Sequence, residues 1–127
     1  MSLLNEKVIL TFSLDEEEIN ILNEHFGKVG VKPAIIINED MDNCTLKEIL
    51  EGTPQKESKE KLPLEKAIIF NNFEGETLHS AVTDVRAILK SRPILATVTP
   101  ISMNMKLKEL IEHLIEERKF HKGSKGK

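Results

Sequence analysis

Four short apolar runs and four helical patterns alternate along the chain. The runs lie at residues 7–13, 32–38, 66–71 and 93–99, and each is apolar at successive positions and rich in β-branched side chains. Such runs are typical of strands that helices cover on both faces. Pro33 and Pro93 stand near the start of two runs, where a missing backbone N–H is tolerated. The pattern therefore predicts four strands in a sheet with helices on both sides.

The helical patterns begin with capping signals. Ser13-Leu14-Asp15-Glu16 and Thr45-Leu46-Lys47-Glu48 both have the sequence of a capping box, in which a hydroxyl and a carboxylate satisfy backbone N–H groups at the helix start. Apolar stripes with helical spacing predict a third helix over about 74–91 and a fourth over about 105–120. The predicted order of elements is βαβα, followed by βαβα again.

Similar residues recur in the same order in the two halves. Lys7-Val8-Ile9-Leu10 corresponds to Lys66-Ala67-Ile68-Ile69 at a spacing of 59 residues, and the segment 45–51 corresponds to 106–112 at a spacing of 61. We therefore expect a single domain, 1–127, made of two tandem βαβα repeats at 6–52 and 65–120. A mobile linker is expected at 53–64 and a disordered basic tail at 121–127. Each half is too small to be stable alone, so the two should share one core.

Two arrangements of the sheet are compatible with this order. If every connection is a right-handed crossover, the result is a four-stranded parallel sheet of order 2-1-3-4 with helices on both faces. If the two repeats instead meet about a pseudo-twofold axis, the sheet is mixed. The predicted fold class is thus α/β with a four-stranded, mainly parallel sheet, and the mixed sheet is the alternative.

The second half resembles a known family. The resemblance lies in Lys66-Ala67-Ile68-Ile69-Phe70, in Glu74-Gly75-Glu76, in the segment 95–100 and in Leu107-Lys108-Glu109-Leu110-Ile111. Residues 66–117 are similar to the short bacterial βαβα domains of domain-of-unknown-function family 3783, and the first half would be a diverged copy. The resemblance implies a small α/β fold and implies no activity, substrate or catalytic residue.

Composition narrows the class of protein. The 127 residues, 39% of them apolar, suffice for one core, and a formal charge of −3 argues against a general nucleic-acid binder. No apolar run approaches the roughly 18 residues of a membrane span, and the first residues lack the features of a signal peptide. Cys44 is the single cysteine and cannot form an internal disulfide, which favours a cytoplasmic protein.

The sequence contains no recognisable motif for catalysis, a cofactor or a metal ion. Acidic residues follow the first and third runs, where a phosphate-binding loop has glycines. Asp40, Asp42 and Cys44 combine hard and soft donors that suit no common metal ion, and acidic neighbours make Cys44 a poor nucleophile. Glu109 and His113 are expected on a solvated helix face. We predict no catalytic residue, no metal and no cofactor.

Uncharged polar residues after the strands are the remaining candidates for a site. In a parallel α/β sheet, ligands bind beyond the carboxyl ends of the strands at the point where the winding reverses. In the 2-1-3-4 order this point lies between the first and third strands, where Ser13, Asn71 and Asn72 would gather, with Thr99, Ser102 and Asn104 on the neighbouring loop. Their hydrogen-bonding groups suit a small polar ligand or a peptide, although the same residue types also cap helices and shape turns.

Three functions are compatible with these observations. The first is a non-catalytic interaction or regulatory module that binds a protein partner, or a second copy, through exposed edge strands. The second is the binding of a small polar molecule by Ser13, Asn71, Asn72 and Thr99. The third is a nucleic-acid accessory role of the basic tail, which has five Lys or Arg among the last ten residues.

Overall fold

Two βαβα series follow one another in the computed structural model, which describes residues 5–37, 44–52 and 65–125. The first comprises β1 (Val8–Phe12), α1 (Glu16–Gly27), β2 (Lys32–Ile37) and α2 (Leu46–Leu50). The second comprises β3 (Ala67–Asn71), α3 (Gly75–Ile88), β4 (Ile94–Thr97), a 3-10 turn (Ser102–Asn104) and α4 (Leu107–Lys125). The predicted order of elements is confirmed, and the predicted linker at 53–64 lies outside the described residues.

The four strands form one sheet in the order β2-β1-β3-β4. β1 pairs with β2, and β3 with β4, in parallel, whereas β1 and β3 are antiparallel, with Val8 opposite Asn71 and Phe12 opposite Ala67. The α/β class and the mainly parallel four-stranded sheet are confirmed. The fully parallel arrangement is wrong and the mixed alternative is correct, because the crossover rule fixes the direction of a strand only within each βαβ unit.

The sheet is covered on both faces by pairs of helices. α1 and α3 pack on one face and α2 and α4 on the other. Every residue of β1 and β3 is buried, which explains why these strands are apolar at successive positions. The core therefore consists of two apolar layers, one on each side of the central strands.

Corresponding positions of the two series meet at three levels of the molecule. Leu10 lies directly opposite Ile69 in the sheet, 59 positions away. His25 of α1 and Asp84 of α3 are also 59 positions apart, and their side chains are joined by a hydrogen bond of 2.9 Å. On the other face, Thr45 and Lys106 form an isolated antiparallel bridge. Contacts of this kind are those that an approximate twofold axis through the centre of the sheet produces.

The helix starts agree with the sequence in one case and differ in the other. Thr45 caps α2 as predicted, since its hydroxyl accepts a bond of 3.1 Å from the Glu48 backbone N–H. Ser13 does not cap α1; the cap is Asp15, whose N–H donates to the Glu18 carboxylate at 3.0 Å. Ser13 has φ 63 and redirects the chain after β1, so the helix starts two residues later.

The helix ends differ from the predicted ones in the second half. α3 stops at Ile88, whereas the apolar stripe predicted about residue 91. α4 continues to Lys125, so residues 121–125, expected to belong to a disordered tail, are helical. Lys and Arg are good helix formers, and positive charge near the C-terminal end of a helix is favourable for its dipole.

Candidate functional site

The antiparallel pairing of β1 and β3 separates the candidate residues that the sequence brought together. Ser13 follows β1 at one end of the central strands. Asn71 and Asn72 lie at the opposite end, where β3 terminates. Thr99 follows β4, which runs parallel to β3, and it therefore lies at the same end of the sheet as Asn71. The expected gathering of Ser13 with Asn71 and Asn72 is thus wrong, because it depended on β1 and β3 running in the same direction.

The two asparagines hold the segment that leads into β1. Asn71 Nδ2 donates to the Glu6 carbonyl oxygen at 3.0 Å, and Asn72 Nδ2 donates to the Asn5 carbonyl oxygen at 2.8 Å. Asn72 has φ 64, close to the φ of Ser13, and both residues stand directly beyond a central strand. Their main structural role is to turn the chain and fasten the two halves to each other.

Thr99 takes part in a compact turn between β4 and α4. Its backbone N–H donates to Ser102 Oγ at 2.8 Å, and the Ser102 N–H donates back to Thr99 Oγ1 at 3.0 Å. This reciprocal pair fixes the segment that carries Ile101, whose side chain is 79% exposed. Ile101 is the most exposed of the large apolar side chains among the described residues.

β4 is an edge strand whose outer backbone groups face away from the sheet. Its backbone N–H groups alternate in direction, and the N–H groups of Ile94 and Val98 donate to the carbonyl oxygens of Lys66 and Phe70 at 2.9 Å each. The amides of Leu95 and Thr97 between them therefore point outward. Within the described part of the chain, no strand lies beyond β4.

The segment around β4 is free of charge over an unusual length. All thirteen residues from Pro93 to Met105 are uncharged, in a chain of which 31% is charged. Proteins normally protect a sheet edge with lysine, with proline inside the strand or with a bulge. β4 itself has none of these, and its register with β3 is regular. Its protection is limited to its shortness and to Pro93, which directly precedes it.

A groove of about 310 Å³ lies beside β4, between the strand and α4. Its walls are mainly apolar, and they include Leu95, Ala96, Ile101, Met105, Leu110 and Leu114. Thr99 lines the groove as well, and His113 and Glu117 of α4 supply its charged groups. We call the outer side of β4 together with this groove the β4 surface. Its chemistry suits an extended backbone with apolar side chains.

The opposite edge of the sheet is protected in several ways. Lys32 and Pro33 are exposed at the start of β2, and the register of β2 with β1 shifts between Val8 and Leu10. The Ala34 N–H that this irregularity frees donates to Asn23 Oδ1 of α1 at 2.8 Å. Charge, proline and a bulge thus all discourage another strand from pairing with β2.

A cluster of polar side chains ties α1 to the second half. Lys66 Nζ donates to Glu18 Oε1 at 2.8 Å, and Ser91 Oγ donates to Glu18 Oε2 at 2.6 Å. Burial by itself raises the pKa of Glu18, but hydrogen bonds from Lys66, Ser91 and the Asp15 backbone outweigh it and lower the pKa. The bond to Glu18 raises the pKa of Lys66. This cluster is satisfied internally and acts as a structural tie.

The other polar residues considered from the sequence have ordinary surroundings. Cys44 is fully buried, and Glu109 and His113 are exposed. Asp40 and Asp42 lie outside the described residues. Among the residues that the structure describes, no three His, Cys, Asp or Glu side chains gather closely enough to hold a metal ion. None of the helices in those ranges is long and apolar enough to cross a membrane.

The β4 surface belongs to the half of the chain that has known relatives. Residues 66–120 match the family model of a domain of unknown function, DUF3783. The resemblance seen in the sequence is thereby confirmed, and the DUF3783 segment contains β3, α3, β4 and most of α4. Comparisons with curated proteins and with solved structures give no match.

Thr99 and Ser102, which the sequence placed on a loop beside the expected site, line the groove, whereas the other residues of the β4 surface were not among the candidate ligand residues. The uncharged run from Pro93 to Met105 was the signal that could have revealed it, since it is the longest such run in the chain. A search for unusual polar residues passes over a segment whose distinguishing property is the absence of charge.

Proposed function

We propose that this protein is a non-catalytic interaction module that binds an extended segment of a protein along the β4 surface. In this mode a segment adds a strand to an exposed sheet edge, main-chain hydrogen bonds give affinity and neighbouring pockets take side chains. The cytoplasmic location expected from the single cysteine and the bacterial origin implied by the DUF3783 resemblance are parts of the same proposal.

The difference between the two sheet edges is the observation that carries this proposal. β2 has an exposed lysine, a proline and an amide capped by Asn23, whereas β4 has an uncharged, regular edge beside an apolar groove. A sheet edge with so little protection is an aggregation hazard. Its presence therefore favours a role in binding a partner. The exposed Ile101 at the groove supports the same interpretation.

Amide hydrogen exchange of the full-length chain tests the proposal. Peptides selected from a random display library would be added to the labelled protein, and exchange would be followed residue by residue. We expect the outward amides of Leu95 and Thr97 to exchange fast in the isolated monomer and about tenfold or more slowly when a strand is paired with them. Selected peptides that protect other amides and leave these two unchanged would contradict the proposal.

A matched pair of variants locates the contact. Ile101→Glu places a charge at the groove, whereas Ile36→Glu places the same charge on β2, where the isoleucine is 52% exposed. Because both side chains are largely exposed, both variants should fold. Peptide affinity should fall for Ile101→Glu and stay close to that of the parent for Ile36→Glu.

We also propose that the two βαβα series are copies of one unit. Support comes from the coincidence of two independent spacings. The sequence correspondences lie 59 and 61 residues apart, and the contacting pairs Leu10–Ile69, His25–Asp84 and Thr45–Lys106 have the same separations. In this view the copy with the unprotected edge has kept the contact surface and the other copy has lost it.

Binding of a small polar molecule in the groove is the second candidate function. Thr99, predicted as a ligand residue, lines the groove, although Ser13, Asn71 and Asn72 do not. The volume of about 310 Å³ is at the lower end of the range for small-molecule sites. Native mass spectrometry of the gently purified protein would detect such a molecule as an adduct, which Ile101→Glu should weaken.

A further inference from the structure

We propose that the segment that pairs with β4 is β4 of a second copy of this chain, in an antiparallel arrangement centred on Ala96. This inference rests on the proposed function, because it names the partner of the β4 surface. It gives the protein a symmetric dimer in which the two sheets become one continuous sheet.

The direction of the backbone groups makes β4 complementary to itself. Leu95 and Thr97 are the residues whose N–H and C=O groups point outward, and they lie symmetrically on either side of Ala96. In an antiparallel pair, residues that face each other exchange both of their hydrogen bonds. Leu95 of one copy would thus face the second copy's Thr97, with one pair of bonds on each side of a central Ala96–Ala96 position.

The centre of the molecule already uses this type of pairing. β1 and β3 are antiparallel, and the pairing is centred on Leu10 opposite Ile69, which are corresponding positions of the two series. Pairing of β4 with β4 has the same antiparallel direction, although it joins the second strand of each βαβα series and not the first.

The side chains next to β4 fit burial against a copy. Ala96 is small, so two of them can face each other at the close distance of a non-hydrogen-bonded pair. The segment from Pro93 to Met105 contains no charged residue. Pairing of a strand with β4 therefore removes no charged side chain of this segment from water. The groove and the exposed Ile101 add apolar contact, which such a short strand needs in addition to its hydrogen bonds.

Sedimentation of the full-length chain over micromolar to millimolar concentrations tests the inference. We expect a concentration-dependent dimer, and we expect Ile101→Glu to raise its dissociation constant by about tenfold or more. Ile36→Glu is the matched control on the other edge and should leave the dissociation constant unchanged. A monomer throughout this range, or equal effects of the two variants, would overturn the inference.

Cysteine cross-linking tests the register. In antiparallel pairing about Ala96, the two Ala96 positions adjoin each other, so Ala96→Cys should form an intermolecular disulfide readily. Leu95→Cys is the control, because its partner in this register is the second copy's Thr97 and not another cysteine. Cys44 is fully buried and should contribute little background. Stronger cross-linking at Leu95→Cys than at Ala96→Cys would overturn the proposed register.

The outcomes separate this inference from the proposed function. If raising the protein concentration alone slows exchange of the Leu95 and Thr97 amides, the second copy is the partner. If only added peptides protect them, the dimer is wrong and the interaction module stands. If neither protects them, both proposals fail.

Discussion

The two halves of the molecule are most alike where they meet and least alike at their outer edges. At the seam, which is the antiparallel pairing of β1 with β3, Leu10 and Ile69 are both buried and face each other. The register of this pairing is symmetric for the two halves. At the periphery, β2 has Lys32, Pro33 and a bulge, whereas β4 has a regular uncharged edge. Both halves need the packed seam in order to fold, whereas the two outer strands need not be alike.

This contrast indicates which parts of the sequence were constrained by packing. A position in the centre of the sheet must fill the same space in either half, so aliphatic residues recur there. An outer edge can be protected or left available without changing the core. The difference between the edges is therefore the observation on which the proposed function rests.

The largest effect is expected from breaking the seam. Leu10→Ala removes a fully buried side chain that contacts its counterpart strand, and it should lower the free energy of unfolding by about 3 kcal/mol. Chemical denaturation measures this change. Ile101→Ala is the control, because that side chain is 79% exposed and its truncation should change the free energy of unfolding by less than about 0.5 kcal/mol. Similar losses in the two variants would contradict the assignment of the core.

The sequence predicts the strands of this seam well and their relative direction poorly. Apolar positions in succession identify β1 and β3, because both faces of each strand are buried. The same pattern results whether the neighbouring strand is parallel or antiparallel. If the two series are copies of one unit, as proposed, the spacing of 59 residues held the missing information, because a twofold axis brings corresponding positions such as Leu10 and Ile69 together.

The candidate site was less predictable than the fold for a related reason. Ser13 and Asn72 have the same local conformation, with φ 63 and 64. The antiparallel pairing of β1 with β3 nevertheless places them at opposite ends of these strands. Thr99 lies at the same end of the sheet as Asn71 because β3 and β4 are parallel within one unit. The sequence thus predicts which residue types follow each strand. It does not predict which of these loops lie close together, because that depends on the directions of the strands.

The second prediction concerns the tie between α1 and the second half. Glu18→Gln removes the carboxylate that accepts from Lys66 and Ser91, and it should lower the free energy of unfolding at neutral pH by about 1–2 kcal/mol. The pKa of Glu18 is lowered in the folded state, so its stabilising contribution is present above its unfolded pKa. That contribution is lost as the pH falls through the folded pKa.

Denaturation of the parent and of Glu18→Gln at a series of pH values checks this. The difference between the two proteins should shrink as the pH falls into the acid range where Glu18 takes up a proton. The pKa of Lys66 is raised, so its contribution is lost only as the pH rises beyond that pKa, far above neutral. A difference that is constant from neutral to acid pH would show that the carboxylate charge of Glu18 is unimportant.

The third prediction sharpens the comparison of the edges. Asn23→Ala removes the side chain that accepts the Ala34 N–H at 2.8 Å, and it should lower the free energy of unfolding by about 1 kcal/mol. The exchange of the Ala34 amide should become faster, and the β2 edge should become more open to pairing. Asn23→Asp, which retains an acceptor, is the control and should keep the slow exchange. Unchanged exchange in Asn23→Ala would show that the cap does not protect this edge.

The smallest effect is expected where the two halves meet at the surface. His25 and Asp84 join α1 to α3 through a contact of 2.9 Å, but their side chains are 39% and 44% exposed. Solvent screening limits such a pair, so the coupling between His25→Gln and Asp84→Asn in a double-mutant cycle should be less than about 0.5 kcal/mol. The coupling between Glu18→Gln and Lys66→Met should be larger, because the Glu18 side chain is only 13% exposed. A larger coupling at His25–Asp84 than at Glu18–Lys66 would contradict the expectation that solvent screening weakens the more exposed pair.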